Sequence, residues 1–180
     1  MGASSTSEAI RAVTRADAAA VAAIYGPEVA HGTASFETEP PDADEMARRI
    51  GRCIERGWPW LVLEGGDGQI LGYAYLNQFR DRAAYAHTAE TSVYVRSGMR
   101  GMGVGRRLME ALIAAGRAAG FRQFVAVIGD SGNRASIALH AAVGFRHVGT
   151  LTEVGEKFGR LLDVVYMQRG EDDYRSIGTA

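Results

Sequence analysis

Apolar and polar positions along the chain fall into two rhythms, one of period two and one of period 3.6. Short alternating or apolar runs read as strands at Glu8–Val13, Trp58–Glu64, Gln69–Gln78, Thr88–Val95 and Phe121–Gly129. Two more follow at "FRHVGTL" and "LLDVVYMQR", on either side of a connecting stretch "TEVGEKFG". Helical spacing runs through "ADAAAVAAIYGPEVA", "DADEMARRIGRCIERG", "GVGRRLMEALIAAGRAAG" and "NRASIALHAAVG". Thr14 with Asp17 three residues on suits the first helix start, and Asp42 the second. Pro27 is expected to kink or end the first helix, because it lacks an N–H and crowds the preceding turn. Gly57, Gly120 and Gly144 suit helix stops. "GGDG" reads as a hairpin turn, and "HGTASFETEPP" and "FRDRAAYAH" as loops. The order β-α-α-β-β-β-α-β-α-β-β predicts an α/β fold with one mixed sheet and helices on both faces. The strand–helix–strand unit from Thr88 to Ile128 requires two parallel strands joined right-handedly.

Composition narrows this reading. With 180 residues and 47% apolar side chains, the chain suits one domain over residues 8–170, with a disordered head at 1–7 and a tail at 171–180. Lys plus Arg total 20 against 21 Asp plus Glu, which gives no reason to expect nucleic acid or an anionic membrane as partner. No apolar run approaches the ~20 residues of a membrane span, and the head lacks the regions of a signal peptide. A cytoplasmic protein is the expectation. Cys53 is the one cysteine, so an intrachain disulfide is excluded, and its helical setting reads as a packed or half-exposed thiol. The histidines show no metal-ligand spacing, and no metal is expected. Trp58 and Trp60 read as core.

The candidate chemistry lies at the seam Arg100-Gly101-Met102-Gly103-Val104-Gly105-Arg106-Arg107. Helix starts leave N–H groups unpaired and carry partial positive charge. Glycines let an oxyanion approach the backbone, and arginines add charge, so the seam describes a phosphate or pyrophosphate cradle. A Walker loop would need Gly-Lys-Ser/Thr, where Arg106 and Arg107 stand. A dinucleotide fingerprint would need Gly-x-Gly-x-x-Gly, and the spacing here is Gly-x-Gly-x-Gly.

Arg100-x-x-Gly103-x-Gly105 resembles the Q/R-x-x-G-x-G/A motif of GCN5-related N-acetyltransferases. "TASFETEPP", "TAETSVYV", "FVAVIGDSGNRASIALHAAVGF" and "EKFGRLLDVVYMQR" resemble the phosphinothricin and methionine sulfoximine N-acetyltransferase subgroup, over about Ile10 to Arg169. The resemblance implies a splayed sheet beside Thr88–Val95 and acetyl-CoA as acetyl donor. Its pantetheine arm would pair with backbone at Val93 and Val95, around Tyr94, and its pyrophosphate would lie over Arg100, Gly101, Met102, Gly103, Val104, Gly105 and Arg106. Asn133 and Ser136 would hold the pantetheine or reacting region, although a plain helix cap also explains Asn133. The resemblance gives Glu90 the role of base toward the acceptor amine. His140 stands where many members carry a tyrosine acid; it either donates near the thioester sulfur or packs. Arg80 and Arg82, with Phe79 and Tyr85, would meet the anionic oxygens of a small amino-acid-like acceptor. Phe36 and Glu37 would wall that pocket, and Lys157 and Phe158 would cover it, across a homodimer interface. The alternatives are another small amine or a protein N-terminus as acceptor, or a silent CoA-binding sensor.

Overall fold

The computed structural model describes residues 7–170; the expected head, up to residue 6, and tail lie outside the described residues. Seven strands form one sheet: β1 (Ala9–Ala12), β2 (Trp60–Glu64), β3 (Ile70–Gln78), β4 (Thr88–Val95), β5 (Gln123–Gly129), β6 (Arg146–Lys157) and β7 (Arg160–Gly170). Their order across the sheet is β1-β2-β3-β4-β5-β7-β6. Only β4 and β5 run parallel, as the strand–helix–strand unit requires. The four helices are α1 (Ala18–His31), α2 (Ala43–Glu55), α3 (Val104–Ala118) and α4 (Arg134–Ala142).

Strand alternation divides the core in two. Leu63, Ala74, Leu76 and Ala89 join the cluster beneath α3 and α4, whereas Val62 and Tyr73 join the cluster beneath α1 and α2. Helix α2 enters this second cluster by Met46, Ile50 and Cys53, a stripe at i, i+4 and i+7. Asp42 caps it, accepting from the Glu45 N–H at 2.7 Å. Helix α3 brings Leu108, Met109, Leu112 and Ile113 to the other cluster. An added Cβ at Gly116 would stand 2.6 Å from the Phe124 ring and 2.7 Å from Leu76, so bare backbone sets how closely α3 approaches the sheet.

Two expectations need correction. Pro27 does not end α1, which continues to His31. The missing N–H costs one hydrogen bond, but Val29 on the following turn is 1% exposed in the core, and that burial holds the helix together past the proline. The stretch "TEVGEKFG" is not a loop. Strand β6 runs through Lys157, and Phe158-Gly159, at φ 52° and 69°, makes a two-residue turn into β7. As the sheet's outer strand, β6 is almost wholly exposed, so it carries no buried alternation to betray it. Its register also shifts between Leu151 and Gly155. The Thr14–Asp17 pair forms, with the Thr14 N–H donating to Asp17 at 2.8 Å, but on a 3-10 turn that leads into α1.

Candidate active site

The parallel pairing of β4 and β5 stops early. It covers Thr88–Thr91 against Gln123–Ala126, while β4 keeps β3 as a partner through Val95. The strands part beyond Thr91, and the sheet opens into a cleft of about 530 Å³. Backbone direction follows from two bonds: Phe79 N–H donates to Thr88 O and Arg96 N–H to Leu71 O. Even-numbered residues of β4 therefore bond to β3, and the N–H and C=O groups of Val93 and Val95 face the opening. Ala126–Gly129 of β5 form the facing wall.

At one end of the opening stands the start of α3. Gly103 is its N-terminal cap, in the left-handed region at φ 80°, which an L side chain adopts only with strain. The first helical bond is Arg107 N–H to Gly103 O, so the N–H groups just before it are left for another partner. Arg100, Gly101, Gly103, Val104, Gly105 and Arg106 line the cleft. Met102 does not; it is 63% exposed. The Arg100 guanidinium pairs with Glu28 of α1, itself a lining residue, and Arg106 pairs with Glu110 at 2.8 Å. This combination of amides, guanidinium charge and an open strand edge fits a pyrophosphate joined to an amide-bearing arm.

On the far wall, Asn133 caps α4, its Oδ1 accepting from the Ser136 N–H at 3.2 Å; both residues also line the cleft. His140 lies there too, 3% exposed, with its ring edge-on to Phe145. Its Nδ1 stands 2.8 Å from Ser136 O. A carbonyl only accepts, so Nδ1 carries the hydrogen and Nε2 of the neutral ring is an acceptor. Nε2 is buried with no partner. Burial pulls the His140 pKa below its ordinary value, against the Ser136 hydrogen bond, so the neutral ring is favoured at neutral pH.

Glu90 is half-buried and does not line the cleft itself. It shares the α1/α2 side of the sheet with Ser92, which does, and with Tyr94. Burial raises its pKa, and the nearby Arg80 charge works against that rise. Arg80 lies over the Phe79 ring at 4.9 Å, and Phe79 meets Tyr85 edge-on at 6.0 Å. Neither Arg80 nor Arg82 forms an ion pair among the described residues. Glu37 is not free: Arg49 grips it with two bonds at 2.7 and 3.0 Å, and the Tyr25 hydroxyl donates at 2.9 Å. Burial would raise the Glu37 pKa, but these bonds outweigh it and leave it lowered. Phe36 lies between Gly129 and Gly155, whose absent side chains would occupy opposite edges of its ring. Lys157 is buried and donates to Ser35 O at 2.7 Å within the same chain, tying the β6–β7 turn to the Phe36 loop. Phe158 is 57% exposed, with the Lys157 ammonium 5.2 Å from its ring.

A second cavity, about 270 Å³, opens under α2. Among its walls are Arg49, Cys53, Trp60, Tyr75 and Asn77, which sequence reading had left in the core or passed over. Asn77 stands directly opposite Glu90, a register that the sequence pattern does not give. Cys53 is the packed thiol expected, its pKa raised by burial. Among the described residues, no group of three or more His, Cys, Asp or Glu side chains could hold a metal ion, and no helix is long and apolar enough to cross a membrane.

A mixed sheet opened between its parallel strands, with a glycine-turned helix start at the opening, defines the acyltransferases that act from a coenzyme A thioester. The comparisons narrow that class. The family of the acetyltransferase (GNAT) domain matches residues 10–166. Phosphinothricin N-acetyltransferase of Alcaligenes faecalis is 49% identical over 160 residues, 89% of this chain and 81% of that protein. The L-methionine sulfoximine/L-methionine sulfone acetyltransferase of Pseudomonas aeruginosa is 40% identical over 94% of this chain and 98% of its own. A phosphinothricin acetyltransferase structure from Sinorhizobium meliloti, in complex with acetyl-CoA, superposes with a TM-score of 0.87 at 38% identity, covering 91% of this chain and 88% of that one. The chain belongs to the GNAT acetyltransferase family and is an acetyl-CoA-dependent N-acetyltransferase.

Proposed function

We propose that this enzyme acetylates the α-amine of a small amino acid whose side chain ends in a tetrahedral oxo group, such as phosphinothricin, methionine sulfoximine or methionine sulfone, with Glu90 as base. The observation that carries the reading is the placement of a desolvated carboxylate beside the last paired residues of β4, where the cofactor cleft meets the α1/α2 side. Bound acetyl-CoA supplies the acetyl thioester. Val93 and Val95 offer it a strand edge, and the first turn of α3 with Arg100 offers the anion site. An α-ammonium arriving near Glu90 loses its proton to that carboxylate, whose raised pKa brings it closer to the operating pH. Arg80 and Arg82, which form no ion pair among the described residues, pair with the acceptor's anionic oxygens. His140 offers an acceptor at Nε2 rather than a proton, which favours an orienting role over that of an acid toward the departing sulfur.

A homodimer accompanies this reading. Val148, Leu151, Val154, Phe158 and Leu161 leave apolar side chains exposed on β6, β7 and their turn, and a second copy is the cover that suits such a patch. Light scattering should report twice the chain mass, and Val154→Lys should halve it.

Release of free thiol from acetyl-CoA, followed with methionine sulfone, phosphinothricin, a polyamine and a peptide, tests the acceptor class. Turnover confined to the amino acids is the expected result. Turnover confined to peptides or polyamines overturns it, and acetyl-CoA binding without turnover on any amine would make the protein a sensor.

A further inference from the structure

The cavity under α2 has no part in the scheme above, and its chemistry is one-sided. Its one lining carboxylate, Glu37, is already neutralised by Arg49 and Tyr25. The remaining polar groups are mainly donors. The Trp60 indole N–H is buried with no partner among the described residues, on a residue only 4% exposed. A buried donor left unsatisfied costs about 1–3 kcal/mol. The indole is fixed in place, stacked on Tyr75 at 4.3 Å and on Tyr73 at 5.8 Å. Asn77 takes the Cys53 thiol on its Oδ1 at 3.8 Å, and its NH₂ makes no bond among the described residues. Arg52, paired with Glu45 at 3.7 Å, and Arg56, over the Trp58 ring at 4.7 Å, also line it. Such a pocket, with aromatic walls and unmet donors, suits oxygen acceptors on an otherwise compact group.

Its position is also specific. Asn77 pairs with Glu90 across β3 and β4, and directly opposed residues share a face with Cβ atoms about 5 Å apart. A substrate with its amine at Glu90 therefore has its side chain within reach of Asn77 and of the cavity behind it. We infer that this cavity is the specificity pocket for the acceptor's side-chain head, receiving sulfonyl, sulfoximine or phosphinyl oxygens on Asn77 and Trp60. The inference rests on the amino-acid acceptor proposed above and divides the labour within it: Arg80 and Arg82 serve the carboxylate, while the α2 cavity reads the head.

The test compares methionine sulfone with methionine, which share amine and carboxylate and differ in the two sulfonyl oxygens. Asn77→Leu should lower kcat/KM for the sulfone about tenfold, the loss of one well-placed hydrogen bond, and leave methionine within about twofold. Equal losses for both acceptors, or none for either, overturn the pocket. A second measurement needs no functional variant. The protein has two indole N–H groups, on Trp58 and Trp60, and their resonances are assigned by Trp60→Phe. Adding methionine sulfone to the unacetylated, cofactor-free enzyme should move the Trp60 signal, and methionine should leave it in place. An unmoved Trp60 signal in an enzyme that acetylates the sulfone overturns the pocket and leaves the proposed function standing. A moved signal in an enzyme that acetylates neither amino acid supports the pocket and overturns the proposed function.

Discussion

Gly155→Ala is a small change with a traceable consequence. A Cβ at this position would lie 2.7 Å from Phe36 Cδ2, 2.9 Å from Cζ and closer still to Cε2. Carbon atoms rest about 3.5–4.0 Å apart, so the ring must shift by more than 1 Å (roughly) from its slot between β5 and β6. It cannot shift toward β5, because the Cα of Gly129 bounds that side and a Cβ there would already be 3.0 Å from Cε1. The way out is toward solvent, where the ring is 39% exposed now. A Phe side chain buries about 150–250 Å² when fully enclosed, so about 100 Å² of apolar surface is at stake, worth about 2.5 kcal/mol at 25 cal/mol per Å². Part of the ring stays covered, and replacing glycine within a strand returns about 0.5–1 kcal/mol. The expected net loss is about 1–2 kcal/mol, read by urea unfolding. Phe36 lines neither cavity; on the resemblance's reading of it as a wall of the acceptor pocket, KM for the amino acid should rise while the Kd for acetyl-CoA holds. Phe36→Ala with Gly155→Ala should show strong coupling, the second change costing little after the first. Full stability together with an unchanged acceptor KM would refute the slot and remove Phe36 from the pocket.

Further outcomes follow from the charges of the chain. Glu90→Gln should cut kcat/KM by about 10²–10⁴; and since a raised folded pKa means stability lost as pH rises through it, the variant should unfold at higher urea than the parent at pH 8. Arg80→Gln removes the charge that holds the Glu90 pKa down, so the lower break in the pH profile of kcat/KM should move up; a fixed break would separate Arg80 from Glu90. Glu28→Gln frees Arg100 from its present partner and should tighten acetyl-CoA binding up to about fivefold, the worth of an exposed pair, whereas Arg100→Ala should weaken it, both by calorimetry. The Arg11 hydrogen bond holds Asp17 at about 2, against the opposing effect of burial, so that pair stabilises the fold above the ordinary carboxylate range and the contribution is lost as pH falls toward 2. Arg11→Ala should cost about 1–2 kcal/mol at pH 7, after discounting for the exposed guanidinium, and less at pH 3.

What the sequence made legible was what neighbours along the chain determine. Thr88–Val95 alternates cleanly because Ala89 and Thr91 enter one side of the sheet while Ser92 and Tyr94 face the other, and its limits match β4. The glycine–arginine seam is equally local, since Gly103 must turn where α3 begins. Features that depend on distant partners were hidden. Pro27 suggests a helix end only when the burial of Val29 is unknown. Strand β6 has no alternation to read because it lies at the sheet's rim and its register slips twice. Glu37 looks like an available carboxylate until Arg49, twelve residues on, closes over it. Trp60 and Asn77 lie on different strands, and nothing in either local pattern announces a cavity between them.

The arrangement of β4 explains how one eight-residue strand can serve two substrates without mixing them. Backbone groups and side chains of a strand obey the same period of two but point at right angles to each other. Along the edge, Val93 and Val95 turn their N–H and C=O groups toward the opening, because the even positions are spent on β3. Across the face, Glu90, Ser92 and Tyr94 turn their side chains toward α1 and α2. An edge contact reads no side chain, so the cofactor arm places little demand on residue type at Val93 and Val95 beyond packing. A face contact depends wholly on residue type, so the proposed acceptor chemistry rests on Glu90 and its opposed neighbour Asn77. The parting of β4 from β5 after Thr91 is what makes both available at once: two residues later it would close the edge at Val93, while Glu90 keeps its place through β3, opposite Asn77.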